Sequence, residues 1–219
     1  MPFSLNISPE IVVALALILL ICLPVHEFSH ALLAYRLGDG TAKLFGRLTL
    51  NPIAHLDPIG SLFLVLTVVT GARGLGWAKP TPVNPANLRY GAAGDAIVAF
   101  AGPASNLVLA AAVALPLRLI INSPTLFDQV PEFAQNVMFY FVSINVALFV
   151  FNLIPVPPLD GSHILLAALD PRTAFQLRPV LAQYGPFLLL ILVFTGIASI
   201  VIAPIIDRLV DILVGLPFG

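Results

Sequence analysis

Four stretches of the chain are long, apolar and nearly free of charge, and shorter proline-rich segments separate them. They cover 11–35, 96–117, 133–155 and 180–206. A helix rises about 1.5 Å per residue, so roughly 20 apolar residues cross a hydrocarbon core of about 30 Å. Each stretch therefore predicts a membrane-spanning helix. The last contains Pro186, Gly196 and Pro204, which predicts a kink or a split. A fifth run, 58–72, has only 15 residues and predicts a short span or a re-entrant element. At 205–213, Asp207, Arg208 and Asp211 stand among apolar residues, the pattern of an interfacial helix or of a polar end to the last span. Thr41–Leu50 is rich in β-branched and apolar residues around Gly46 and predicts a small β-hairpin at the membrane surface. The fold class that follows is an all-α polytopic bundle of about four to six spans. It carries a small membrane-associated β-hairpin near 41–50 and proline-broken helix ends, in one domain over 1–219.

Composition narrows this further. The chain is 59% hydrophobic and only 10% charged, against roughly 25% charged in soluble domains. A net charge of −1 offers no basic field for nucleic acid. Cys22 is the only cysteine, which excludes an intrachain disulfide and a cysteine-rich zinc finger. The N-terminus lacks the basic region of a cleaved signal peptide. Arg36, Lys43 and Arg47 follow the first span, Arg73, Lys79 and Arg89 precede the second, and Arg172 and Arg178 precede the last. The positive-inside rule puts these three groups in the cytoplasm.

The chemistry starts inside the first span. Glu27 is the only formally charged residue between 11 and 35, and it stands in His26-Glu-Phe-Ser-His30. Polar groups at that depth are costly and mark a function. Residues four apart share a helix face, so His26 and His30 can aim ring nitrogens at one metal ion. Glu27 can then take a proton from a water that the metal acidifies and pass it to a leaving amine. Two histidines merely hydrogen-bonded in a helix interior would leave this spacing a coincidence.

A catalytic zinc site needs three protein ligands. Of the 11 acidic residues, Glu10, Asp128 and Glu132 fall on the opposite side, and Asp207 and Asp211 lie in the tail. Asp57 lies near His55 in a turn bounded by Pro52 and Pro58, where a structural histidine is expected. Asp160 directly follows the third span, where Pro155, Pro157 and Pro158 stop a helix. Irregular backbone at that depth is tolerated where it lines a cavity, and such a break can turn a carboxylate back between helices. Asp160 shares the cytoplasmic end with His26 and is the stronger candidate; the alternative is a cap for a helix starting near Ser162. Asn106 lies at matching depth in the second span, either facing a substrate carbonyl or oxyanion or bonding helix to helix. Asn145 and Asn152, seven apart on one face, line the same cavity or join helices. His163 stands behind the site or is structural.

Five segments together resemble the site-2 protease family of intramembrane zinc metalloproteases. They are His-Glu-Phe-Ser-His at 26–30, Gly-Arg-Leu-Thr-Leu-Asn-Pro at 46–52, Gly-Trp-Ala-Lys-Pro at 76–80, Ala-Gly-Pro-Ala-Ser-Asn at 101–106 and Asn-Leu-Ile-Pro-Val-Pro-Pro-Leu-Asp-Gly at 152–161. The resemblance implies one zinc ion held by His26, His30 and Asp160, with Glu27 as catalytic acid and base. It implies that Asn106 assists substrate or oxyanion binding and that Asn152 contacts extended substrate backbone. The implied reaction cuts a peptide bond within or beside a transmembrane helix of another protein, such as an anti-sigma factor or a signal-peptide remnant. The implied setting is a prokaryotic cell membrane, with the site toward the cytoplasm. The 41–50 segment looks like the family's membrane-associated sheet, whose edge accepts an unwound substrate. No segment is long enough for the PDZ or nucleotide-sensing domain of larger members, so this looks like a minimal form. Gly-Trp-Ala-Lys-Pro and the Thr81-Pro-Val-Asn-Pro after it suggest a gating or re-entrant loop.

Two other readings remain. Another kind of membrane zinc protease would use a glutamate as third ligand, but the only glutamates are Glu10, Glu27 and Glu132. A metal transporter or silent metal-binding protein would carry more metal-capable residues along a path, and the outer half is nearly bare of them.

Overall fold

The computed structural model describes residues 8–70 and 76–215. The first span opens with α1, Pro9–Leu17, passes through a π turn at Ile18–Cys22 and continues as α2, Leu23–Arg36. Pro24 explains the π turn. It has no N–H to give and its ring crowds the carbonyl four residues back, so the preceding turn widens. The Leu23 N–H reaches back five residues to the Ile18 carbonyl. The wide turn ends four residues before His26.

After α2 the chain does not form the expected hairpin. Thr41–Leu44 is a single helical turn, α3. Asp39 caps its start, accepting from the Thr41 N–H at 3.1 Å and from the Thr41 hydroxyl at 2.5 Å. Gly46, at φ +68°, closes its end: the Arg47 N–H bonds to the Ala42 carbonyl and the Gly46 N–H to the Lys43 carbonyl. That is the Schellman pattern of a left-handed helix stop. The glycine at the centre of the expected hairpin is a helix terminator. Among the described residues the nearest thing to a sheet is one isolated antiparallel bridge, Leu56 with Ala78.

The run expected at 58–72 contains α4, Pro58–Thr70, and positions 71 and 72 lie outside the described residues. Its 13 residues reach only about 20 Å, short of a full crossing. The longest element is α5, Ala92–Ile121. A six-residue helix α6, Pro124–Gln129, turns the chain into α7, Glu132–Asn152. Beyond Asn152 the backbone is irregular to Asp160, through a cis Pro157–Pro158 peptide, and α8 then runs Gly161–Ala168. Gly161 lets this exit fold tightly, since a Cβ there would lie 2.3 Å from the Leu153 carbonyl oxygen.

The last apolar stretch divides differently from the expected 180–206 span. Helix α9 begins earlier, at Pro171, where Asp170 accepts from the Arg172 and Thr173 N–H groups, and ends at Thr195. Gly196 takes φ +79° and breaks the helix, and α10 follows as Ile197–Val214. The charged segment 205–213 is therefore the second half of a separate helix, whose Val210 and Val214 are buried in the core. Among the described residues, four helical stretches are long and apolar enough to span: 9–36, 92–121, 132–152 and 171–195. The core joins α5, α7 and α10 through Ala110, Ala114, Val142, Val146, Val210 and Val214. Lipid is as apolar as these side chains, so close packing of small residues holds such helices together. Large side chains such as Leu115, Leu119, Phe187 and Ile191 face outward, as a lipid environment permits.

Candidate active site

One stripe of α5 organises the site. Asp95, Val98, Gly102 and Asn106 fall three, four and four residues apart, which is one helix face, and all four are buried. Helix α2 crosses this stripe with His26, Glu27 and His30, all at most 9% exposed. The two Nε2 atoms stand 3.0 Å apart. From the proline-broken exit, Asp160 places Oδ2 3.2 Å from His26 Nε2 and Oδ1 3.3 Å from His30 Nε2. The candidate ligand atoms of these three residues all lie within 4.8 Å of one another.

These distances suit a small cation. Ligands at about 2.0–2.2 Å in a tetrahedron stand roughly 3.3 Å from one another. Asp160 Oδ2 is buried and meets no hydrogen-bond donor in acceptable geometry, although His26 is close. A carboxylate oxygen left in that state suits a metal better than a hydrogen-bonded cluster. Gly102 floors the space, where a Cβ would come within 2.2 Å of His30 Nε2 and 2.6 Å of His26 Nε2. Zinc therefore fits the residues present.

The outer ring nitrogens have partners as well. His30 Nδ1 donates to the Val98 carbonyl at 2.8 Å, since a carbonyl can only accept. That leaves the lone pair of its Nε2 facing the cluster. His26 Nδ1 lies 3.1 Å from the Asn106 amide, which is fully buried, and the Asn106 Oδ1 has no partner. Rotating the amide by half a turn lets Oδ1 accept from His26 Nδ1–H. That satisfies the orphaned oxygen and frees the second Nε2 lone pair together with the first.

Glu27 shares a cavity of about 850 Å³ with the three residues. Its Oε2 accepts the Thr81 N–H at 2.9 Å, and the Thr81 hydroxyl donates to the Glu27 carbonyl at 3.1 Å. The strap bearing Thr81 is anchored at both ends. The Lys79 N–H bonds to the His55 carbonyl, Trp77 stacks on Phe63 with ring centroids 5.6 Å apart, and the Asn84 N–H donates to Asp39. Asn152 lines the cavity with its amide nitrogen donating to the Leu148 carbonyl at 2.9 Å. Asn145 is fully buried, with its amide nitrogen on Cys22 Sγ and the Phe141 carbonyl, and so joins helices. His55 is buried with Nε2 donating to the Thr49 carbonyl, and Asp57 caps α4 through the Gly60 N–H, both structural roles. His163 Nδ1 meets Asp95 at 3.0 Å, and this contact holds the imidazole pKa above the usual histidine value against the opposing effect of burial.

Sequence reasoning passed over Asp95, Val98, Gly102 and Thr81. A small-and-polar stripe at helical spacing was the available signal for the first three. Thr81 stood only within the suggested gating loop, and its contact with the Glu27 carboxylate is made by its backbone N–H, which any residue but proline supplies.

Comparison with known proteins bears on the family of the chain. Residues 119–193 match the model of peptidase family M50. The chain is 34% identical over 208 residues to the "Putative zinc metalloprotease YwhC" of Bacillus subtilis, covering 94% of this chain and 89% of that protein. It is also 34% identical over 178 residues to the "Putative zinc metalloprotease Rip2" of Mycolicibacterium smegmatis, covering 80% of this chain and 64% of that one. A third relative, the "Putative zinc metalloprotease Rip3" of Mycobacterium tuberculosis, is 28% identical over 191 residues. No solved structure matches. With a relative of this identity matched over nearly its whole length, the chain belongs to the site-2 protease family of intramembrane zinc metalloproteases, peptidase family M50.

Proposed function

We propose that His26, His30 and Asp160 hold one zinc ion, and that the chain, acting as one membrane-embedded domain, hydrolyses a peptide bond in or beside a transmembrane segment of another protein. The observation that carries this is the convergence of three donor side chains, 3.0–3.3 Å apart, on one point in a cavity shared with Glu27. Zinc, when bound, lowers the pKa of water toward about 7 and polarises a carbonyl.

The chain's own residues do the rest. Glu27 accepts the proton of the attacking water and delivers it to the leaving nitrogen, roles that suit a carboxylate at a cavity wall. Asn106 holds His26 in the tautomer that exposes Nε2. Its complete burial and its contact with His26 favour this over the substrate or oxyanion contact expected from the sequence. Asn152 retains its amide oxygen for an extended substrate. A transmembrane helix presents no free peptide groups, so the substrate must unwind locally before cleavage. The strap at 76–84 covers Glu27 and so must shift to admit it. The excess of basic residues beside the motifs supports a site toward the cytoplasm, and anti-sigma factors and signal-peptide remnants are the substrate class we favour.

Glu27→Gln separates binding from chemistry. The variant should retain one zinc per chain and lose cleavage by at least about 1,000-fold. Wild type and variant are expressed side by side, and membrane-protein fragments are compared by mass spectrometry. Fragments that appear equally with both refute the mechanism.

A further inference from the structure

The cavity holds a second polar pair that the metal cluster and Glu27 do not use. Asp95 stands in the first turn of α5, only 6% exposed, and His163 stands one turn after Asp160 on α8. His163 Nδ1 lies 3.0 Å from Asp95 Oδ2. The carboxylate is buried while the imidazole is about half exposed, at 8% and 47% of their side-chain areas. A carboxylate taken from water is costly unless paired, so a merely decorative Asp95 would lower stability. Pairing it with a histidine whose other edge is open fixes the ring in one orientation. With Nδ1 committed to α5, the Nε2 edge is the exposed one. Asp95 and His163 both line the cavity that also holds Glu27 and the three donors.

Two other polar side chains lining that cavity are committed elsewhere, and the Trp77 indole is stacked on Phe63. The Thr81 hydroxyl is on the Glu27 carbonyl, the Asn152 amide nitrogen is on the Leu148 carbonyl, and Asn106 is outside the lining. An unwound segment brings carbonyl oxygens into a largely apolar space, and each one left without a donor is destabilising. Accordingly, resting on the protease reading above, we propose that His163 hydrogen-bonds through its Nε2 edge to a main-chain carbonyl of the unwound substrate beside the cleaved bond, with Asp95 as its positioning residue. The strap, α2 and the exit loop then form the walls of the groove, and the first turns of α5 and α8 supply its polar contact.

The test uses full-length protein in detergent with a model transmembrane peptide that the wild type cuts. His163→Leu keeps bulk and removes the hydrogen bond, while His163→Gln restores an amide N–H at similar reach. His163→Leu should lower kcat/KM by about 10- to 100-fold, the range of one lost hydrogen bond in an apolar site. His163→Gln should recover most of that loss, and Asp95→Asn should fall between. Zinc content should stay at the wild-type value in both His163 variants, and the thermal midpoint should stay there in His163→Gln, whereas His163→Leu leaves the Asp95 carboxylate unpaired and lowers its midpoint. This separates the proposal from the protease mechanism it rests on, which fails instead when Glu27→Gln still cuts. Wild-type kcat/KM in His163→Leu overturns the proposal. So does loss of zinc or of folding in both His163 variants, because either result makes the residue structural.

Discussion

Replacing Gly102 by alanine separates the fold from the site with a single methyl group. In α5 this change gains about 1 kcal/mol of helix propensity. The added Cβ, however, would stand 2.2 Å from His30 Nε2 and 2.6 Å from His26 Nε2, where ordinary contact begins at 3.4 Å. Each ring must retreat by about 1 Å, while a metal site tolerates about 0.2 Å of error in its ligand distances. The rings can retreat only by giving up the Val98 carbonyl and the Asn106 amide, their partners on the same helix. The atoms in the way are side-chain ends, so the bundle survives and the metal position does not. Zinc per chain, measured by elemental analysis after dialysis, should fall at least 10-fold, and cleavage of a model transmembrane peptide by about 100-fold or more. The thermal midpoint of the metal-free protein should move by no more than about 4 °C. A Gly102→Ala protein with one zinc and normal turnover would show that the histidines meet their metal elsewhere.

Asn106→Leu should weaken zinc binding by about 10- to 100-fold, the usual effect of removing a partner behind a ligand, and Asn106→Asp should restore it. An unchanged zinc affinity with a lowered kcat would return Asn106 to the oxyanion role. Asp39 joins α3 to the strap. Burial alone would raise its pKa, but hydrogen bonds from Thr41, Asn87 and Asn84 outweigh this and hold it below the usual carboxylate value. Its stabilising effect is therefore complete above the unfolded value of about 3.9 and fades as pH falls through the folded one. Asp39→Ala should cost roughly 2–3 kcal/mol at neutral pH and flatten the acid side of the midpoint-versus-pH curve; a parallel curve would exclude the carboxylate as the cause. Cross-linking cysteines placed at Phe63 and Trp77, whose rings stack, should hold the strap over Glu27 and suppress cleavage until the link is cut. Unchanged turnover in the linked protein would show that substrate enters without moving the strap.

How legible each feature was depends on the range of the interaction that creates it. The spans came from long apolar runs, and of the kink or split expected from Pro186, Gly196 and Pro204 the structure has a split at Gly196, where a positive φ ends α9. His26, Glu27 and His30 were readable because a helix fixes the relative direction of residues one and four apart. The hairpin at 41–50 failed because a four-residue turn has no periodicity. Its conformation follows from the Asp39 cap and the Gly46 stop, and Asp39 itself is held by Asn84 and Asn87, more than 40 positions away.

The residues alone pointed to a polytopic helical chain, a candidate metal-binding pair with an adjacent carboxylate, and Asp160 as the third donor to look for. A proline-broken exit limits where a carboxylate can go, and helical spacing fixes the pair. Only the tertiary structure decided what surrounds them. The packing of α2 on one face of α5 puts Gly102 beneath the rings and turns Asn106 from the cavity to His26, and the packing of α8 on α5 leaves His163 open beside Asp95. It also lays the Thr81 backbone across Glu27. Contacts between segments 50 to 80 residues apart follow no local periodicity, so they exist only once the helices have packed.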